Sequence, residues 1–371
     1  MAMGATRLIL VGGFLGAGKT TLLARGAEQM ARLGKRVGLV TNDQAANLVD
    51  TAILERAGSE VREVAGGCFC CRFPDLIAAA EELVARFDPD VLICEPVGSC
   101  TDLSATVIQP IKRLYGDRFL VAPYSVLVDP RRAQEAFLVD RPQSPFPDNV
   151  LYIFRKQLEE ADVIVLNKAD LLSSAELAEL KASLGDHFPG TPVVALSALR
   201  GDGVEAWLDF VGRDNPSGRQ IAEVDYDLYA EGEAVLGWLN AVVELRPRDK
   251  TDWKSLCLDL VKKVQGELRQ RSAEIAHLKL YLTTEAASIR ANLTGNQEEP
   301  LVQADRGVQS GCGPASLLIN ARVHLDPGPL RSVVEQCLRS VAGSAVEARI
   351  TSLESFQPGR PVPTHRIGFV V

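Results

Sequence analysis

The sequence has no run of the 18 or so consecutive apolar residues that would span a bilayer. It has no basic surplus either. Its 40 Lys and Arg against 48 Asp and Glu leave a net charge of −8, which argues against a protein built to grip nucleic acid. Histidine is scarce, with four dispersed copies, so there is no histidine-rich metal tract. Internal repeats and low-complexity tracts are missing, and the Leu, Ile and Val content excludes a disordered chain. The apolar run near the N-terminus is short and leads into a glycine-rich loop with no cleavage site, so no signal peptide is expected. The expected compartment is therefore the cytoplasm, where the eight cysteines serve as thiols or metal ligands and not as a disulfide framework.

What is present is 371 residues, 46% of them hydrophobic, enough for about two domains with a core each. Residues 1–213 alternate short β-type apolar runs (7–11, 36–41, 61–64, 90–94, 124–128, 163–167, 192–197) with helical stretches (19–33, 73–87, 149–160, 174–187, 204–211). Several runs are apolar almost throughout, as central strands covered on both faces must be. The alternation predicts an α/β domain whose mainly parallel sheet is covered by helices. Polar residues 214–224, with Pro and Gly near their start, form the linker candidate. Residues 225–371 follow as strand (234–243), helix (253–272), strand (275–283), strand (315–325), helix (330–341) and strand (345–353). That order suggests a smaller α+β domain of the split-βαβ type, suited to recognising a partner.

Gly13-Phe-Leu-Gly16-Ala17-Gly18-Lys19-Thr20 fits G-x-x-x-x-G-K-[ST] directly after a strand and at the start of a helix. Glycines let the backbone wrap a phosphate chain with its N–H groups turned inward, and the helix N-terminus adds positive potential. Lys19 would reach the outer phosphates, Thr20 would ligate magnesium, and Thr21 completes the contact set. At the end of the strand over 163–166, Asn167-Lys168-Ala169-Asp170 offers a guanine site. Asp170 can accept from guanine N1–H and its exocyclic amine, Lys168 can cover the base plane, and Asn167 can brace the loops, with Ser197-Ala198 at the next strand end. These features favour GTP over ATP. Glu95 closes the strand over 91–95 near the magnesium position, and Gly98 can bring a backbone N–H to the γ-phosphate. Asn42 and Asp43 end the second strand and open a switch-like loop, 44–47, where Asp43 is either near the metal–phosphate centre or an ordinary turn residue.

Three thiols lie within four residues in Gly66-Gly67-Cys68-Phe69-Cys70-Cys71, a compact soft-metal candidate. Thiolates favour zinc and also take cobalt or copper(I), and three ligands leave a position open for exchange. The other reading is buried apolar cysteines or a redox pair. Cys94, Cys100, Cys257, Cys312 and Cys337 have no cysteine beside them in sequence and are taken as ordinary thiols.

Together these four motifs resemble, over about residues 6–212, the CobW-like branch of the SIMIBI-class GTPases that includes HypB and UreG. The resemblance implies a slow GTPase that binds GTP and GDP with magnesium, with Lys19, Thr20 and Glu95 at the catalytic centre. It implies a metallochaperone, or an activator, for a client metalloenzyme or corrinoid-dependent enzyme, with pairing of two copies through the GTPase domain. Cys68, Cys70 and Cys71 would then hold the transition metal close to the nucleotide. An activase without metal transfer, or a GTP-binding switch or scaffold that does not hydrolyse, are the competing functions. Two departures stand out: Asp43-Gln-Ala-Ala replaces the expected glycine-containing acidic stretch, and residues 225–371 carry no histidine-rich insert.

Overall fold

The computed structural model describes residues 5–43, 49–56, 59–138, 144–305 and 311–371. The switch-like loop 44–47 lies outside the described residues. The chain divides into two compact units. The first takes the described residues within 1–44, 54–232 and 360–371, and the second those within 45–53 and 233–359. Residues 225–232 and 360–371, assigned above to the C-terminal domain, thus fall with the first unit.

The first unit is built on an all-parallel sheet of eight strands: β1 (Thr6–Gly13), β2 (Val37–Asn42), β3 (Glu60–Val64), β4 (Val91–Glu95), β5 (Phe119–Val121), β6 (Ser125–Val128), β7 (Val163–Leu166) and β8 (Val193–Ala195). Their order is β3-β2-β4-β1-β6-β7-β8, with β5 pairing the start of β1 and β6 its end. β2, β4, β6 and β7 are buried along their whole length, which explains their mainly apolar character, with polar residues only at strand ends. Ile9, Val11, Leu22, Leu39, Ile93 and Trp207 belong to one core cluster, and the Trp207 indole donates to Ser125 Oγ at 2.9 Å. Because all eight strands run the same way, the loops that follow β1, β2, β3, β4, β7 and β8 all open at the carboxyl edge of the sheet. This edge is where open α/β sheets bind ligands.

The second unit is a six-stranded antiparallel sheet: β9 (Gly237–Pro247), β10 (Ile275–Thr283), β11 (Ser288–Leu293), β12 (Leu301–Ala304), β13 (Ala315–Val323) and β14 (Val346–Phe356), in the order β12-β11-β10-β13-β9-β14. Helices Trp253–Gln270 and Pro327–Ala342 pack their Leu, Val and Cys side chains into its core. The α+β class therefore holds, but the split-βαβ pattern is two strands short. β11 and β12 extend the sheet beyond β10, and β12 is a four-residue edge strand whose alternate residues are exposed. Among the described residues no helix is long and apolar enough to cross a membrane.

Candidate functional site

The loop between β1 and helix Lys19–Arg32 is shaped by close approach. Gly13 has φ +125°, and a methyl group on it would lie 2.3 Å from the Leu127 carbonyl oxygen. Gly18 has φ +93°, and a methyl there would lie 2.4 Å from Asn167 Nδ2, so only glycine fits either position. Gly16 also takes a positive φ, +82°. Lys19 is buried and its ammonium donates to the Gly13 carbonyl at 2.8 Å, which holds it over the loop. Thr20 Oγ1 donates to Glu95 Oε1 at 3.2 Å, with both residues buried. A hydroxyl and a carboxylate side by side are hard oxygen donors of the kind magnesium takes. Thr21 is exposed on the helix surface. Gly98, on the loop after β4, passes so near the lysine that a methyl group there would lie 3.1 Å from Lys19 Nζ and 2.7 Å from Leu15 Cδ2.

The residues after β7 and β8 close on the same loop. Asn167 Nδ2 donates to the Ala17 carbonyl at 2.8 Å, and Asn167 Oδ1 accepts from Ala198 N–H at 2.9 Å. One side chain thus ties three loops together, the bracing expected of it. Lys168 adopts φ +54° and pairs with Asp129 at 2.5 Å, and this ammonium holds the Asp129 carboxyl below the usual range against its burial. Asp170 faces Arg200 at 3.2 Å, and Ser197 Oγ accepts from Arg200 N–H at 3.1 Å. Asp43 is buried at the end of β2, where its N–H donates to the Val64 carbonyl.

The cysteine loop follows β3. Cys68 Sγ lies 2.8 Å from Cys70 Sγ and 3.3 Å from Cys71 Sγ, and the last pair is 3.8 Å apart. Cys68 and Cys70 are buried, and Cys71 is half-buried. Hydrogen bonds from Cys100, Cys70 and Cys71 hold the Cys68 thiol well below its ordinary value. The Cys70 thiol is pushed well above, first by its hydrogen bond with Cys100, and Cys71 rises to about 11, first by its bond with Cys68. Among the described residues this trio is the one group of thiol, imidazole or carboxylate donors close enough together to share a metal ion.

Three elements of this pocket were not assigned from sequence. Asn42 Nδ2 donates to the Val64 and Gly67 carbonyls at 2.8 and 2.7 Å, and its Oδ1 accepts from Phe69 N–H at 2.8 Å, so it clamps the cysteine loop. Cys100 is not an isolated thiol, since it hydrogen bonds with both Cys68 and Cys70. Residues 362–367 lie along the loop. Val362 N–H donates to Cys71 Sγ at 3.2 Å, Thr364 N–H to the Cys70 carbonyl at 2.8 Å, and Arg366 Nε to the fully buried Asp102 at 2.7 Å. The other cysteines behave as expected. Burial lifts the Cys94 and Cys257 thiols to about 12 and Cys337 to about 11, and Cys312 is exposed.

A glycine-lined turn ending in a lysine, set between the first strand of a parallel sheet and a helix, defines a P-loop nucleotide-binding protein. The chain belongs to the CobW/HypB/UreG family, whose nucleotide-binding domain matches residues 7–195. Over 222 residues it is 30% identical to the zinc chaperone CobW of Pseudomonas aeruginosa, covering 52% of this chain and 56% of that one. Over 172 residues it is 30% identical to the zinc chaperone YeiR of Escherichia coli, covering 44% and 47%. The chain thus spans about half the length of these curated relatives. Among solved structures, HypB from Archaeoglobus fulgidus aligns at 21% identity over 57% of this chain and 92% of its own, with a TM-score of 0.40. Zn(II)-bound YjiA GTPase from E. coli aligns at 18% identity over 90% and 99%, with a TM-score of 0.37.

Proposed function

We propose that the chain is a GTP-hydrolysing metallochaperone. It takes a transition metal, zinc in the first place and cobalt in the second, on Cys68, Cys70 and Cys71, and passes it to a client metalloenzyme or corrinoid-dependent enzyme. The observation that carries this reading is three thiols within 3.8 Å of one another, in the same compact unit as a complete P-loop. Thiolates in a buried cluster bind soft and borderline metals, and three of them leave a coordination position for exchange. The likeness to zinc chaperones supports zinc as cargo.

In this reading Gly13, Gly16, Ala17 and Gly18 present backbone N–H groups to the phosphates. Lys19 leaves the Gly13 carbonyl for the outer phosphates. Asp170 accepts from the guanine edge after turning from Arg200, and Lys168, Ser197 and Ala198 line the base. Thr20 and Glu95, with Asp43 near them, would hold magnesium, which when bound neutralises charge between the outer phosphates. Gly98 offers an N–H toward the γ-phosphate. These residues position and stabilise charge, and none acts as a general base, so intrinsic turnover is slow.

The test is a zinc titration of the full chain with a non-hydrolysable GTP analogue and with GDP. A hundredfold difference in affinity is expected, equivalent to about 2.7 kcal/mol of coupling. Equal affinities would overturn the coupling, and full client activation by a variant with all three cysteines changed to Ser would make the protein an activase without metal transfer.

A further inference from the structure

The strand order places the loop after β3 and the loop after β4 on the same edge of the sheet, with only β2 between those strands. The first loop carries Cys68, Cys70 and Cys71, and the second carries Cys100. Cys100 is buried, and its thiol hydrogen bonds with both Cys68 and Cys70, so a fourth sulfur lies beside the trio that sequence spacing showed, although only the trio has all its sulfurs within 4.8 Å of one another.

The fourth sulfur is also anchored. Cys100 N–H donates to the Val97 carbonyl at 2.9 Å. Gln157 Nε2 donates to the Gly98 and Cys100 carbonyls at 3.0 and 2.8 Å, which fixes the backbone on both sides of Ser99. Two residues further on, Asp102 is held by the Tyr226 hydroxyl and by Arg366, each at 2.7 Å. Cys94, on the strand that leads into this loop, is buried and has no thiol partner among the described residues, so nearness to β4 does not by itself bring a cysteine to the cluster.

We propose that Cys100 is a fourth thiolate ligand, which closes the Cys68–Cys70–Cys71 site into a four-sulfur one. The inference rests on the metal reading above. In a tetrahedral zinc site with Zn–S near 2.3 Å the sulfurs stand about 3.8 Å apart. The three separations within the trio are 2.8, 3.3 and 3.8 Å, so those sulfurs spread by about 1 Å at most, while Cys100 Sγ, outside the group whose sulfurs all lie within 4.8 Å of one another, moves inward to complete the site. Each thiol that coordinates gives its proton to solvent as its bond to the metal forms, and no electron is transferred. Four thiolates make a holding site, and a three-thiolate site arises when Cys100 leaves.

Zinc K-edge X-ray absorption on the zinc-loaded full chain tests this directly. Four sulfur neighbours are expected in the unaltered protein, whereas three sulfurs with one nitrogen or oxygen would overturn the proposal. Cys100→Ser is expected to lose one sulfur and to bind zinc at least tenfold more weakly in competition with a chromophoric chelator. Cys312→Ser, at an exposed position, is expected to change neither. An unchanged sulfur count in Cys100→Ser overturns the proposal. If that variant does not fold, the count in the unaltered protein decides alone. A protein that binds no zinc at all overturns the metal reading beneath, and one that holds zinc by three sulfurs overturns this inference only.

Discussion

The P-loop and the cysteine pocket share one sheet edge but are assembled by different means. The P-loop is eight consecutive residues whose backbone does the shaping, with side-chain anchors that include Lys19 onto Gly13, Thr20 onto Glu95 and Asn167 onto Ala17. The cysteine pocket draws on four distant stretches: Asn42 at the end of β2, the loop 66–71, Cys100, and residues 362–366. A site made of backbone within one turn tolerates change elsewhere in the chain. A site made of side chains from several segments depends on each of them.

The sharpest way to separate the two is Lys19→Ala. Removing the cation proposed to reach the outer phosphates is expected to lower GTP hydrolysis by about 10²- to 10³-fold. Zinc stoichiometry should stay unchanged, read by phosphate release and elemental analysis of the same sample. Joint loss of both activities would show that the regions are one site. Asn42→Ala should reverse the pattern. It deletes three hydrogen bonds of 2.7–2.8 Å to the cysteine loop and strand end. A loss of about 2–3 kcal/mol in denaturant stability is expected, with weaker zinc binding. A change too small to measure would mean that the loop holds its own shape.

Arg366→Ala comes next. It removes the guanidinium from a buried Asp102 whose carboxylate, among the described residues, then keeps the Tyr226 hydroxyl. Arg366 is partly exposed, so about 1–2 kcal/mol is expected. Arg366→Lys should restore only part, since a point charge cannot reproduce the two-nitrogen contact. Full restoration by Lys would make the contact purely coulombic.

The smallest effect expected is on pH dependence. Burial lifts the Glu160 carboxyl well above its ordinary 4.5, despite hydrogen bonds from Ser104 N–H and Thr101 Oγ1. In that window the native state holds a proton that the unfolded chain has released, so its contribution to stability is complete below 4.5 and is lost as pH rises through the folded value. Thermal unfolding at stepped pH should show this decline, and Glu160→Gln should flatten it. An equal slope in the variant would assign the dependence elsewhere.

What was legible in the sequence follows the same division. The glycine spacing, the lysine and the Asn167–Asp170 segment are local patterns, and each sits at a strand end as its chemistry requires. The cysteine trio was legible as a cluster but not as a pocket, because Asn42 and Cys100 are 26 and 32 residues from Cys68. One signal was available: the loops after successive parallel strands open on one edge, which brings a cysteine after β4 toward cysteines after β3. No comparable rule leads from the sequence to residues 362–366, since an extended segment without periodicity does not announce what it lies on. In the second unit, Ile289, Ala291 and Leu293 alternate with polar residues in β11, but the run is only six residues long and β12 only four.

The return of residues 362–366 to the cysteine loop also bears on the order in which the protein is made. A ribosome adds some 5–20 residues each second, so Arg366 emerges roughly 13 to 53 s after Cys100. For that interval the thiols are present without the segment that will lie along them. The nascent chain therefore passes through a stage in which its softest nucleophiles are at their most accessible. Whatever shielding residues 362–366 give the Cys71 sulfur is therefore absent until that segment has been made.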